Sequence, residues 1–161
     1  ELKNIKGLAF SGTPPLTLPP KLEEAFLPNP DLMLAFKDKL SLKEIQTLAH
    51  NFVSEEAENM QEIKKAIETT DPLARSFIGK TISTELYNDE TALLKQTSLP
   101  VAAFHGVNDK LVNLNYIREL QIPSLWKQKV QVIKNASHTP FVENKEKFCK
   151  LLGSFVEDCF H

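Results

Sequence analysis

The sequence predicts an α/β fold with about three parallel strands and flanking helices, interrupted by an all-helical block. Three observations predict it. Apolar runs at Ile5 to Phe10 (IKGLAF), Pro100 to Phe104 (PVAAF) and Val130 to Ile133 (VQVI) are short and lack polar alternation, as strands buried on both faces do. Each is followed by a loop and then by helical sequence, the alternation of an α/β chain. Between the first run and the second, about Lys21 to Gln96, no strand pattern occurs. A connection of that length is an inserted subdomain rather than a simple crossover.

The elements follow in order. The first strand ends in SGTPP, a turn signal. Asn29-Pro30 offers a cap and a first-turn proline for a helix over DLMLAFKD. Ser41 and Glu44 have the spacing of a capping box, and behind them Leu42, Ile45, Leu48, Ala49 and Phe52 recur at helical spacing. Ser54 is positioned to cap EEAENMQEIKKAI, whose acidic first turn suits the helix dipole and whose stripe is Met60, Ile63, Ala66 and Ile67. Asp71-Pro72 opens LARSFIGKTI, and a short helix over about Asp89 to Gln96 precedes the second strand. The last helix has Phe148, Leu151, Leu152, Phe155, Val156 and Cys159 on one stripe, with Asn144 as its cap. The expected division is a core strand in 1–17, a helical block in 18–97 and a second core segment in 98–161.

Composition narrows the function. The 161 residues are 42% hydrophobic and 25% charged, enough apolar material for one domain with a real core. A net charge of −2 with mixed signs leaves no basic stripe for nucleic acid, and no apolar run approaches a membrane span. Cys149 and Cys159 lie on the predicted last helix, about 15 Å apart in rise, beyond the roughly 7 Å that a disulfide tolerates. They read as two half-buried thiols in a reducing, cytoplasmic compartment, and an upstream leader is left open. No Cys/His cluster has zinc spacing.

Functional groups in parallel sheets gather in loops at the carboxyl ends of strands. Asp109 follows the second strand by five residues, and His138 follows the third by five. A right-handed crossover opens both loops on one sheet edge. A carboxylate there can accept Nδ1–H of the imidazole and fix its tautomer. Val112, Thr139 and Phe141 neighbour this pair and are expected either to line a pocket or to pack the loops. His50 reads as a surface or packing residue of the helical block, and Asp158 as a solvated group on the last helix.

HGVND at His105 to Asp109, followed 29 residues after its Asp by SHTPFVE, resembles the C-terminal half of the α/β-hydrolase family. That family's seventh strand ends in HGxxD, and its histidine loop commonly reads GxGHxPxxE. Here the loop is NASHTPFVE, with Asn135 and Ser137 at the glycine positions and His138, Pro140 and Glu143 intact. GLAFSGTPP is similar to the sixth strand, after which a helical cap is inserted. The resemblance covers the whole chain and implies a partial α/β-hydrolase fold. It implies Asp109 and His138 as the acid and base of a Ser-His-Asp system and His105 as a supporting group; Glu143, by its charge near the helix N-terminus, reads as a residue that begins the last helix. The glycines at 7, 12, 79, 106 and 153 cannot form a GxSxG elbow, so the nucleophile is expected upstream.

The resemblance thus implies the C-terminal part of a serine hydrolase acting on a small-molecule ester, thioester or similar acyl bond. It implies no metal or organic cofactor, and this chain alone is expected to be inactive. Relatives that break carbon–halogen or carbon–carbon bonds leave the reaction open. A non-catalytic hydrolase-like binding module is the other reading. The first strand, at residues 5–10, is expected to pair with the missing N-terminal half, or with a second copy when that half is absent.

Overall fold

The computed structural model describes residues 4–160, and the first three residues of the expected core-strand segment lie outside them. Strands β1 (Leu8–Ser11), β2 (Val101–Gly106) and β3 (Gln131–Ile133) form a parallel sheet in that order. Leu8 pairs with Val101 and Ser11 with Phe104, while Phe104 pairs with Gln131 and Gly106 with Ile133. Every residue of β2 is buried, as the central strand of a covered parallel sheet requires. The first strand begins later than the apolar run predicts, and β2 extends two residues further, through His105 and Gly106.

Strand alternation sends β2 into two cores. Ala102 and Phe104 face one side, where Ile133, Trp126 and Phe155 of α8 (Lys145–Cys159) pack. Ala103 faces the other, against Leu16, Leu111, Tyr116 and Ile117, the last two on α6 (Leu114–Glu119). Asn144 caps α8 as its sequence position predicts, accepting the Lys147 N–H. Two expectations at this end change. Cys149 is exposed while Cys159 is half-buried, and Asp158, though exposed, accepts the Trp126 indole N–H at 2.7 Å.

The intervening segment holds α1 (Leu22–Ala25), a 3₁₀ helix (Leu32–Phe36), α2 (Leu42–Phe52), α3 (Met60–Thr69), α4 (Pro72–Ser83) and α5 (Glu90–Gln96). The capping box forms: Ser41 Oγ accepts the Glu44 N–H, and Glu44 accepts the Ser41 N–H. Asp71 and Asp89 cap α4 and α5. Ile45, Leu48 and Ala49 of α2 bury against Met60 and Ile67 of α3, while Leu42 and Ala66, included in the predicted stripes, stay exposed.

DLMLAFKD is a 3₁₀ turn rather than an α-helix. Leu32 packs toward the sheet cluster while Leu34 and Ala35 pack into the helical cluster, and the tighter winding divides neighbouring residues between them. Asn29 accepts the Asp31 N–H in a local turn. Helix α3 begins at Met60, not beside Ser54. The Ser54 N–H is drawn to Glu143, and EEAEN offers only Ala57 for an apolar stripe, so those residues form turns.

Candidate functional site

The two loops beyond β2 and β3 are joined by backbone bonds. Val107 N–H donates to Ile133 O at 2.9 Å and Asn108 N–H to Ala136 O at 3.0 Å. They can approach so closely because residue 106 is glycine: a Cβ there would stand 1.9 Å from Ser137 O and 2.6 Å from Ala136 O.

Beyond that crossing, Asp109 turns inward. Its Oδ1 accepts the N–H groups of Leu111 and Val112 at 2.8 and 3.1 Å, which fixes the carboxylate plane. Its Oδ2 lies 3.1 Å from His138 Nδ1. A carboxylate only accepts, so Nδ1 carries the proton and Nε2 is the basic nitrogen. The Asp109 side chain is 1% exposed and that of His138 16%. Burial pushes the Asp109 carboxyl up, but the His138 hydrogen bond and charge, with the two backbone N–H groups, outweigh it and hold the group below its usual range. The structure therefore brings together the two residues that the sequence singles out.

His105 is buried and its Nδ1 has no hydrogen-bond partner among the described residues. Burial pushes its imidazole down, with Asp109 opposing. It lies beneath the site as a neutral group.

The helical block closes over His138 through the end of α2. The Phe52 ring stacks on the imidazole, with centroids 5.3 Å apart and planes at 19°. Phe52 O accepts both the N–H and the hydroxyl of Thr139, at 3.2 and 3.1 Å. Glu143 accepts the Ser54 N–H on one oxygen at 2.8 Å and the Ser137 N–H on the other at 2.6 Å. Lys110 reaches His50 O at 3.2 Å, so half-buried His50 tethers the block through its backbone. The expectation that Glu143 serves to begin the last helix is corrected here, because Asn144 caps α8 and both Glu143 oxygens are used elsewhere.

A cavity of about 480 Å³ opens onto His138. Its walls are mostly apolar, with Leu16, Phe26, Phe36, Phe52, Ile82 and Leu111 among them. Two polar wall residues are already engaged: Glu90 accepts the Leu16 N–H, and Tyr87 donates to Thr17 O. Gly12, at the end of β1, forms the wall beside the imidazole with φ +67°. Val112, Thr139 and Phe141 are not on these walls. Val112 is buried and bridges to Phe26, Thr139 is tied to Phe52, and Phe141 is exposed and packs on Phe148. Sequence reasoning missed Gly12 and Phe52 as site residues, since one reads as a turn and the other as the end of a core stripe.

Among the described residues no three His, Cys, Asp or Glu side chains cluster to hold a metal, and no helix is long and apolar enough to cross a membrane. No hydroxyl among them hydrogen-bonds to the His138 ring.

No protein-family model and no curated protein matches the sequence. Solved structures do. An N-acyl homoserine lactonase, AidH, complexed with N-butanoyl homoserine superposes with a TM-score of 0.87 at 26% identity over 96% of this chain. A 2-hydroxy-6-oxo-6-phenylhexa-2,4-dienoate hydrolase from Rhodococcus sp. strain RHA1 gives 0.63 at 21% identity over 94%. A hydrolase from Oleispira antarctica gives 0.68 at 22% identity over 95%. The chain has a partial α/β-hydrolase fold. It spans 55–56% of the length of these three chains. In this α/β-hydrolase frame, β2 and β3 carry the Asp109 and His138 loops, and Phe52 of α2 and Ile82 of α4 line the cavity that opens beside them.

Proposed function

We propose that the chain is the acid-and-base part of a serine-type hydrolase that cleaves an ester, lactone or similar acyl bond of an apolar acyl substrate. The carrying observation is that His138, oriented through Nδ1 by buried Asp109, opens onto a mostly apolar cavity of about 480 Å³. The likeness to a lactonase solved with N-hexanoyl homoserine lactone supports an acyl substrate.

The nucleophile comes from upstream sequence, since the matched hydrolases are nearly twice as long. The serine oxygen bonds to the carbonyl carbon while His138 Nε2 takes its proton. The tetrahedral adduct collapses, the bond to the leaving oxygen breaks, and His138 returns the proton to that oxygen. Water, deprotonated by His138, then attacks the acyl-serine; the bond from the acyl carbon to the serine oxygen breaks, the carboxylic acid leaves, and His138 returns the proton to the serine oxygen. Asp109 holds the Nδ1–H tautomer and stabilises the imidazolium. The helical block, residues 18–97, acts as a cap that excludes water and sets acyl fit. The free edge of β1 receives the preceding strand of the core in the complete protein; a second copy takes that place when the strand is missing.

The test is hydrolysis of p-nitrophenyl esters and N-acyl lactones by the full-length protein and by its His138→Ala variant. Turnover should fall at least about 10³-fold in the variant. Unchanged turnover overturns the reading.

A further inference from the structure

We infer that Glu143 is a positioning residue for His138, clamping the end of α2 to the histidine loop so that Phe52 stays stacked on the imidazole. The inference rests on the reading of His138 as the base. Glu143 ends the one-turn helix α7 (Pro140–Glu143), and the next helix has its own cap in Asn144. Its two oxygens face two different segments. One accepts the N–H of Ser137, the residue before His138, at 2.6 Å; the other accepts the N–H of Ser54, two residues past Phe52, at 2.8 Å. Ser137 is buried, 2% exposed, so its N–H needs an acceptor, and Glu143 supplies it. Bonds from backbone N–H to a carboxylate are among the stronger hydrogen bonds.

The geometry explains why one carboxylate affects the base. The imidazole is gripped at Nδ1 by Asp109 and on its face by Phe52. The Phe52 backbone is held by Thr139 at its carbonyl and by Glu143 through Ser54. Phe52 also packs against both the helical-block cluster and the sheet cluster, so it is the hinge point at which block and sheet meet. Loss of the Glu143 bridge lets the end of α2 lift, and the ring loses its facing surface while the Asp109 contact remains. A glutamine at 143 has one accepting oxygen and a donating NH₂, so it satisfies one of the two N–H groups and opposes the other.

The experiment uses the full-length protein, its Glu143→Gln and Phe52→Leu variants, and two readouts. Ring spectra of ¹⁵N-histidine-labelled protein report the His138 tautomer without any turnover. Steady-state kinetics on p-nitrophenyl butyrate report kcat and KM. Expected in Glu143→Gln, with the Nδ1–H form kept by Asp109, is a broadening or displacement of the His138 ring signals as Phe52 leaves the ring face, and in both variants a kcat about 10–100-fold lower with KM within about threefold. Unchanged ring signals in folded Glu143→Gln protein overturn the inference. So does a lowered melting temperature with unchanged kcat, which leaves Glu143 a purely structural role. If Glu143→Gln does not fold, Glu143→Asp, whose shorter side chain cannot reach both the Ser137 and Ser54 N–H groups, decides in its place, and unchanged ring signals and kcat there sink the clamp. A wild-type protein without esterase activity refutes the proposed function while the ring spectra still test the clamp.

Discussion

Asp109 Oδ2 and His138 Nδ1, 29 residues apart in sequence, meet at 3.1 Å beyond the ends of adjacent parallel strands. The carboxylate is fixed before it meets the imidazole, because Leu111 and Val112 N–H groups hold its other oxygen. Asp109→Asn keeps the volume and can keep those two bonds, but its amide offers a donor where Nδ1–H already donates. The ring then flips its proton to Nε2. The expected result is a fall in kcat of about 10³–10⁴-fold with little change in thermal stability, read by steady-state assay and calorimetry. A kcat within tenfold of wild type removes Asp109 from the acid role.

His105 and Asp109 both have folded-state pKa values below their ordinary ones, His105 chiefly through burial. A depressed folded value means that the unfolded chain binds protons first. Stability is therefore fully present above the unfolded pKa and is lost as pH falls through the folded one. His105 contributes a loss that begins below about pH 6.5, and Asp109 one that begins below about pH 4. Equilibrium urea unfolding between pH 7 and pH 5 should show a falling stability that is flatter in His105→Gln. Identical slopes in the two proteins count against a neutral buried His105.

The cavity walls carry the acyl-fit prediction. Ile82 borders both the cavity at His138 and a neighbouring one of about 360 Å³, with Phe26, Leu32 and Phe36 also shared between them. Ile82→Trp fills this waist. Turnover of short p-nitrophenyl esters should be retained, while kcat/KM for octanoyl and longer esters falls about 10-fold or more, since one methylene in an apolar pocket is worth roughly 10–200-fold. An unchanged chain-length profile places the acyl group elsewhere.

The legible parts of this molecule were those with local causes. Buried parallel strands need continuous apolar runs, so β2 was visible in PVAAF, and the Ser41–Glu44 capping box marked the start of α2. Asp109 and His138 were visible because strand ends concentrate chemistry and two short motifs named them. What stayed hidden depends on contacts across long sequence separations. Ser54 looks like a helix cap until Glu143, 89 residues away, takes its N–H. The end of α2 looks like ordinary core until Phe52 is found stacked on His138. Proximity in sequence offers Val112, Thr139 and Phe141 as pocket or loop-packing residues, and the walls come instead from the segment after β1, the helical block, Leu111 and His138.

Two glycines now carry predictions of different sizes. At Gly106 a Cβ would meet the Ser137 carbonyl oxygen at 1.9 Å, and both neighbours are backbone that the sheet and Glu143 hold in place. Gly106→Ala must therefore pry the two loops apart, with an expected loss of about 3 kcal/mol in urea unfolding. At Gly12 a Cβ would lie 2.9 Å from His138 O and 3.5 Å from Cε1 and Nε2 of the ring, in a backbone conformation of φ +67°. The left-handed conformation alone disfavours alanine by about 1–2 kcal/mol. The tight contact falls on the His138 carbonyl oxygen, so relieving it displaces the residue that carries the base, and Gly12→Ala should lower kcat by about 10-fold or more even at temperatures where the variant stays folded. A Gly12→Ala protein that is destabilised yet keeps wild-type kcat shows that the β1 turn supports the fold without setting the position of His138.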